Sequence, residues 1–235
     1  MGVVAIEKAG ITERGVDEKL WLSHDAFEVR LADYVQLLAE LQKVAPGWNG
    51  QLILIGSSEG GKIVPKLNLL FSDKVVGTIL IGSGGGLPFG EEIKYQIKQL
   101  ALSNDGRRAA VDLVALDQAI DAKFQEMVDN PESTNSYYAK SYKWFASYLN
   151  YELLPDLLAI NNPLLIIHGV QDDHVPVESA DLVQRAFTEA GKHNLTYLRY
   201  DDLGHSIGKR LDIFLLILDW SAKQLVLQPP RPVRG

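Results

Sequence analysis

Gln51-Leu52-Ile53-Leu54-Ile55-Gly56-Ser57-Ser58-Glu59-Gly60-Gly61-Lys62-Ile63-Val64 is the stretch on which the reading of this fold turns. The apolar run Gln51–Ile55 has the length and β-branched content of a buried strand, and Glu59–Val64 reads as the first turns of a helix. Between them Ser58 occupies the centre of a G-x-S-x-G pattern, the layout of a nucleophile elbow, in which a serine on a sharp strand-to-helix turn presents its Oγ above the sheet edge. Glycines flank such a serine where strand and helix approach too closely for side chains. The five-residue string alone would arise about 0.1 times by chance in a chain of this size, so its context carries the weight.

Working outward, Val3-Val4-Ala5-Ile6 reads as a short buried strand. Phe27, Leu31, Val35, Leu38 and Leu41 fall at steps of three and four, which predicts an amphipathic helix with Ser23 as its N-cap, Asp25 in its first turn and Pro46-Gly47 at its end. The elbow helix runs to about Phe71. Val75–Ile81 is a further strand, closed by Gly82-Ser83-Gly84-Gly85-Gly86, which reads as a flexible turn: no G-K-[ST] completes a phosphate-binding loop. From about Glu91 to Leu158 strand patterning gives way to helical spacing, with Tyr137, Tyr138, Tyr142, Trp144, Phe145, Tyr148 and Tyr151 crowding its second half, a pattern favouring packing over ligand contact. Leu164–Ile167 resumes the strand pattern, followed by a helix over Glu178–Ala190, a strand at Leu195–Tyr200, a helix over about Lys209–Val226 and an extended tail from Gln228. Strands alternating with helices predict an α/β fold whose mainly parallel sheet is covered on both faces, with right-handed crossovers.

The composition narrows the function. A chain of 235 residues buries about 70–75% of its unfolded surface without disulfides or a structural metal. With no cysteine there can be no cysteine nucleophile, thiolate zinc site or iron–sulfur site. The net charge of −7 argues against nucleic acid or an anionic membrane surface as the main partner. No apolar run reaches the roughly 20 residues of a membrane span, and no basic-then-apolar leader opens the chain, so a cytoplasmic location is expected unless a lost N-terminal segment carried a signal.

A serine hydroxyl needs a base to take its proton and an acid to orient that base. Of the five histidines, His205 stands out, in Asp201-Asp202-Leu203-Gly204-His205-Ser206 directly after the last strand. Asp172 follows another strand, in Gly169-Val170-Gln171-Asp172-Asp173-His174-Val175-Pro176, with Asp173 beside it as a rival. His168 and His174 flank the same loop and read as hydrogen-bonded loop residues; His24 and His193 read as structural or solvated. The order Ser58, Asp172, His205 puts all three on loops at the C-terminal edge of the sheet, where open α/β folds bind ligands.

With the elbow G-S-S-E-G, the acid loop G-V-Q-D-D-H-V-P and the histidine loop L-G-H-S in this order, the chain from Val3 to about Leu227 resembles the α/β-hydrolase superfamily. The resemblance implies Ser58 as nucleophile, His205 as general base and then acid, and Asp172 as the orienting carboxylate, since the family's D-x-x-V-P pattern uses the aspartate three before the valine. It implies that the Glu59 backbone N–H is an oxyanion donor, and that no metal or organic cofactor takes part. Residues 1–90 and 159–227 then form a discontinuous hydrolase core, 91–158 a helical cap over the substrate pocket, and 228–235 a tail. The implied activity is that of a serine esterase acting on a small-molecule carboxylic ester, with thioesterase or peptidase chemistry as variants and a weak or inactive binding scaffold as the rival.

One part of the family pattern is missing. Val3–Ile6, one helix and the elbow strand match the family's fourth strand onward, which leaves strands one to three, and the loop that supplies a second oxyanion N–H, without counterparts. The expectation is an N-terminally shortened chain with an exposed strand edge that is re-paired, or covered or exchanged in a homodimer.

Overall fold

The computed structural model describes residues 2–104 and 112–227; the tail from Gln228 lies outside the described residues. A small hairpin of β1 (Ile11–Thr12) and β2 (Gly15–Val16) precedes helices α1 (Glu18–His24) and α2 (Phe27–Val44). The elbow strand β3 (Leu52–Ser57) leads into α3 (Gly60–Leu70) and β4 (Val75–Ile81). Then come α4 (Phe89–Asn104), α5 (Leu113–Asp129), a hairpin of β5 (Ser136–Tyr137) and β6 (Lys140–Ser141), α6 (Tyr142–Tyr148) and α7 (Leu154–Ala159). The strand β7 (Leu164–Gly169), α8 (Val177–Glu189), β8 (Leu195–Tyr200) and α9 (Leu211–Leu227) complete the order.

The four long strands form one parallel sheet in the order β3-β4-β7-β8. Alternation along the strands sorts side chains onto two faces, as the two-residue period requires. Leu54, Leu80, Leu164 and Ile166 face a large core shared with Leu67 of α3, Leu38 and Leu41 of α2, Val183 and Phe187 of α8, and the aromatic residues of α6. Ile79, Ile81, Leu165 and Ile167 face the other way, onto Ile213 and Ile217 of α9 and onto Leu203. All seven residues of β4 are buried, the continuous apolar reading of a strand covered on both sides. Among the described residues no helix is long and apolar enough to cross a membrane.

The register aligns the C-terminal ends of the strands. Ser57 pairs with Ile81, Ile81 with Ile167, and Ile167 with Leu198, so the loops that follow β3, β4, β7 and β8 open along one edge. Between β4 and β7 the described residues are mainly helical as expected, with one addition. In the β5–β6 hairpin, Tyr138 and Ala139 take positive φ of 46° and 58°, the two-residue turn that matches strand twist, here built without the usual glycine.

Four sequence expectations are corrected. Val3–Ile6 is not a buried strand: it joins no ladder, and Val3 and Val4 are 90% and 51% exposed. A strand exists only through a partner's hydrogen bonds, and none of the described strands lies beside this segment. Its absence leaves β3 at the sheet's margin, bonded to β4 alone, with Ile55 53% exposed. Second, α2 starts at Phe27 behind Ala26, while Ser23 sits inside the separate α1 and Asp25 caps that helix's C-terminus; the apolar period was right, but the side-chain partners of Asp25, Lys8 and Lys140, lie outside both helices. Third, the glycine loop after β4 is no flexible turn. Gly85 N–H donates to Glu92 Oε1 at 3.0 Å and Ser179 Oγ at 2.9 Å, and Gly86 N–H to the Ser179 carbonyl at 3.0 Å. Fourth, only part of the elbow's glycine content is forced by space. A Cβ on Gly56 would lie 2.6 Å from the Gly60 carbonyl oxygen, whereas one on Gly60 would meet nothing within 4 Å.

Candidate active site

The strand ends bring Ser58, Asp172 and His205 together. Ser58 sits at φ 51°, a left-handed conformation that costs a non-glycine residue about 1 kcal/mol or more and persists only when its surroundings enforce it. The Ser58 N–H is fixed by the Ile81 carbonyl at 2.9 Å. Its Oγ lies 2.9 Å from His205 Nε2, and His205 Nδ1 lies 3.0 Å from both oxygens of Asp172. A carboxylate only accepts, so Nδ1 carries the imidazole proton and Nε2 keeps the lone pair that receives the Ser58 hydroxyl.

Asp172 is 2% exposed. Burial by itself would raise its pKa, but the hydrogen bond from His205 and those from the N–H groups of Val175 and His174 outweigh it and hold the carboxyl below its usual value. Those two N–H groups donate to Asp172 Oδ1 at 2.9 and 2.8 Å. Asp173, the rival acid, points elsewhere: its carboxylate accepts from His174 Nδ1 at 2.7 Å. His168 is buried, its Nε2 3.0 Å from the Val175 carbonyl. His24 contacts the Leu20 carbonyl in α1, and His193 is exposed before β8. His174 is the histidine whose position the sequence did not reveal: its ring stacks on His205, centroids 4.3 Å apart and planes 16° from parallel.

Glu59 offers the site both a backbone N–H and a charged side chain. As the N-cap of α3 it leaves that N–H without an intrahelical acceptor. Its side chain is the hub of a charge cluster: Oε1 accepts from Arg30 at 2.7 Å, Trp144 Nε1 at 3.0 Å and the Tyr148 hydroxyl at 3.1 Å, and Oε2 from Lys8 at 2.9 Å and Lys140 at 3.1 Å. Lys8 and Lys140 also reach the buried Asp25, at 3.1 and 3.2 Å. Burial pushes the Glu59 carboxyl up, but Lys140, Lys8 and Arg30 pull it down further, far below the carboxylate range. Five residues from four separate parts of the chain thus converge on the residue beside Ser58, and no local spacing announces them.

A cavity of roughly 280 Å³ opens beside Ser58, with Phe89, Ile93, Ile97, Tyr138, Trp144 and Phe145 among its walls and Lys140 and His174 at its polar end. The aromatic cluster therefore serves both readings: Trp144, Phe145 and Tyr148 belong to the core, and the first two also face the cavity. Lys62 and Glu92 border it as a buried ion pair, completed by the Ser83 carbonyl for the lysine and by Gly85 N–H and the Ser179 hydroxyl for the glutamate. A lysine amid Gly61, Ile63 and Val64, all buried, was the sequence signal for this pair; nothing pointed to its partner 30 residues on.

A model of the prolyl oligopeptidase family matches residues 106–227, just over half of the chain, a span that holds Asp172 and His205 but not Ser58. Among solved structures, a bromoperoxidase from Bacillus anthracis superposes with a TM-score of 0.57 at 17% identity, covering 92% of this chain and 80% of that one. A monoacylglycerol lipase from Paleococcus ferrophilus gives 0.54 at 15% identity, with 86% and 77% covered. A thermophilic esterase from Thermogutta terrifontis gives 0.52 at 17%, with 85% and 73% covered. At these identities the likeness is one of fold. No curated protein sequence matches the chain.

Proposed function

We propose, for a chain that belongs to the prolyl oligopeptidase family within the α/β-hydrolase superfamily, that it is a serine hydrolase cleaving small carboxylic esters through an acyl-enzyme on Ser58. The observation that carries this reading is the unbroken relay from Ser58 Oγ to His205 Nε2 and from His205 Nδ1 to the buried Asp172. Ser58 Oγ attacks the ester carbonyl carbon as its proton passes to His205 Nε2. The imidazolium so formed is stabilised by Asp172, and then gives the proton to the departing alcohol oxygen. Water repeats the sequence on the acyl-enzyme, releasing the acid and restoring Ser58. The Glu59 N–H, held in place by the cluster around its side chain, is aimed at the negative charge that develops on the carbonyl oxygen.

The cavity supports an ester over a peptide. Its walls are mainly apolar and aromatic, suited to an acyl or alkyl group. A peptide's ammonium terminus would need a free carboxylate, and the two glutamates lining the cavity, Glu59 and Glu92, are already engaged by lysines. Residues 91–158 act in this reading as the cap that sets substrate size. The test is direct. A fluorophosphonate probe is expected to label the protein once, on the peptide containing Ser58 as located by mass spectrometry, and p-nitrophenyl esters of short acids to be hydrolysed in preference to dipeptide amides. No labelling, or labelling elsewhere, would sink the proposal in favour of a binding scaffold; preference for the amides would reassign it to peptidase chemistry.

The free margin of β3 supports a second expectation, association of two copies along that edge. Light scattering should then give the mass of a dimer, and Ile55→Lys, which places a charge on the exposed edge strand, should return it to a monomer. A monomeric wild-type protein would remove this part of the reading.

A further inference from the structure

The ion cluster beside Ser58 holds more positive charge than negative. We propose that it recognises a carboxylate on the substrate through the Lys140 ammonium, so that the preferred substrates are esters carrying one free carboxylate, such as the half-esters of dicarboxylic acids. The preference in catalysis rests on the serine hydrolase reading above; the binding of the carboxylate does not.

Three cations, Lys8, Arg30 and Lys140, meet two carboxylates, Asp25 and Glu59, and among the described residues these carboxylates supply every ion pair the three cations make. One positive charge is left over. The Asp25 side chain is fully buried and those of Glu59 and Arg30 nearly so, so water screens the surplus poorly. Its effect falls on Lys8: burial, together with repulsion from Lys140, outweighs the pull of Glu59 and Asp25 and holds that ammonium below its usual value. At Lys140 burial also lowers the pKa, but there Glu59 and Asp25 prevail and keep the ammonium charged. A singly charged anion is what completes such a cluster.

Of the three cations, Lys140 is the one that lines the cavity opening beside Ser58. An ammonium has three N–H donors. Glu59 and Asp25 accept one each, at 3.1 and 3.2 Å, which leaves the third without a hydrogen-bond acceptor among the described residues. The Lys140 side chain is 25% exposed and its ammonium lies 4.6 Å from the centre of the Trp144 ring, itself a cavity wall, so an anion can reach it from the cavity without breaking the cluster. The carboxylates on the walls do not repel such an anion strongly: Glu92 is paired with Lys62, and Glu59 is held by three cations. Phe89, Ile93 and Phe145 suit the methylene chain between the ester and the carboxylate, while a cationic ester would meet like charge. Hydrolysis adds one water across the ester bond and releases the dicarboxylate and the alcohol. Lys140 also offsets the repulsion between the substrate carboxylate and the oxyanion forming on the ester carbonyl.

The test compares hydrolysis of the monomethyl esters of succinic, glutaric and adipic acids with that of the methyl esters of their monoamides, which have the same shape and no charge. In the wild-type chain the best-fitting half-ester is expected to exceed its amide counterpart in kcat/KM by about 10–100-fold, the effect of one hydrogen bond to a charged group. Lys140→Gln should bring this ratio close to unity and Lys140→Arg should keep most of it. Damage to the cluster or the elbow would slow both esters alike and leave the ratio unmoved, and melting curves check that the variants fold. Binding is read separately by calorimetry on Ser58→Ala, to which the half-ester should bind about 10–100-fold more tightly than the amide. Equal rates, or faster amides, throughout the series would overturn the proposal, as would a ratio unchanged in Lys140→Gln. Tighter binding of the half-ester to Ser58→Ala, in a protein whose wild type hydrolyses no ester, would retain the carboxylate site and discard the hydrolase reading. Hydrolysis of both esters without discrimination would discard the carboxylate site and retain the hydrolase.

Discussion

Ser58→Ala is expected to lower kcat by about 10⁶ with the fold intact, and Asp172→Asn by about 10⁴, both measured as single-turnover ester hydrolysis; the double variant should be no slower than Ser58→Ala alone, because residues that act as one relay are not additive. The two losses have different causes. Without the Ser58 oxygen no acyl-enzyme can form. Without a charged acceptor at Asp172, the amide in its place can donate to His205 Nδ1, which drives the ring proton to Nε2 and faces the Ser58 hydroxyl with a donor. The backbone predicts a further contrast. Since Ser58 is held at φ 51°, Ser58→Gly should gain about 1 kcal/mol in stability while losing all activity, so that chemical denaturation and kinetics move in opposite directions. Activity retained in Ser58→Ala would dissociate the relay from catalysis.

The second large effect is expected at Glu59. Glu59→Gln keeps the shape and an acceptor oxygen but removes the charge, leaving Lys8, Arg30 and Lys140 with Asp25 as the sole remaining carboxylate of the cluster. Breaking a buried pair costs about 3–5 kcal/mol; because Lys8 and Lys140 keep some contact with solvent, about 2–4 kcal/mol is expected here, a fall in Tm of about 5–12 °C for a chain of this size. The cluster also ties the segment around Lys8, α2, β6 and α6 to the elbow, so kcat should fall alongside stability as the Glu59 N–H loses its fixed position. The pH dependence follows from sign. The folded-state pKa of Glu59 is depressed, so its contribution is fully present above the unfolded value near 4.3 and is lost progressively as the pH falls below it. Acid unfolding of Glu59→Gln should therefore be flatter below about pH 4.5 than that of the wild type, and identical acid limbs would show that the cluster adds nothing.

These two expectations differ in what made them visible. The relay was legible because its parts are local signals: an apolar run, then a glycine-flanked serine; a strand, then Asp172 three before Val175; a strand, then Gly204-His205. In a parallel sheet every strand delivers its C-terminal loop to the same edge, so three local patterns and their order along the chain suffice to place three side chains together. Asp172 against Asp173 was the finer matter: it is Asp172, held by the N–H groups of His174 and Val175, that faces His205, while Asp173 faces His174.

The cluster around Glu59 was not legible, because its donors come from residues 8, 30, 140, 144 and 148, and a charge carries no mark of its distant partner. The same holds for Lys62 with Glu92, where only the lysine's apolar neighbours hinted at burial. It holds for His174 on His205, which depends on two loops folding against each other. Val3–Ile6 failed for a related reason: a β-branched run is competent to be a strand but becomes one only beside another. The elbow, the alternation of strands and helices and the meeting of Ser58, Asp172 and His205 at one sheet edge were thus legible in the sequence alone, through period and order along the chain. Which edge is left unpaired, which charges surround Glu59 and which imidazole lies on that of His205 were decided by tertiary packing, since each requires contact between segments that share no local pattern.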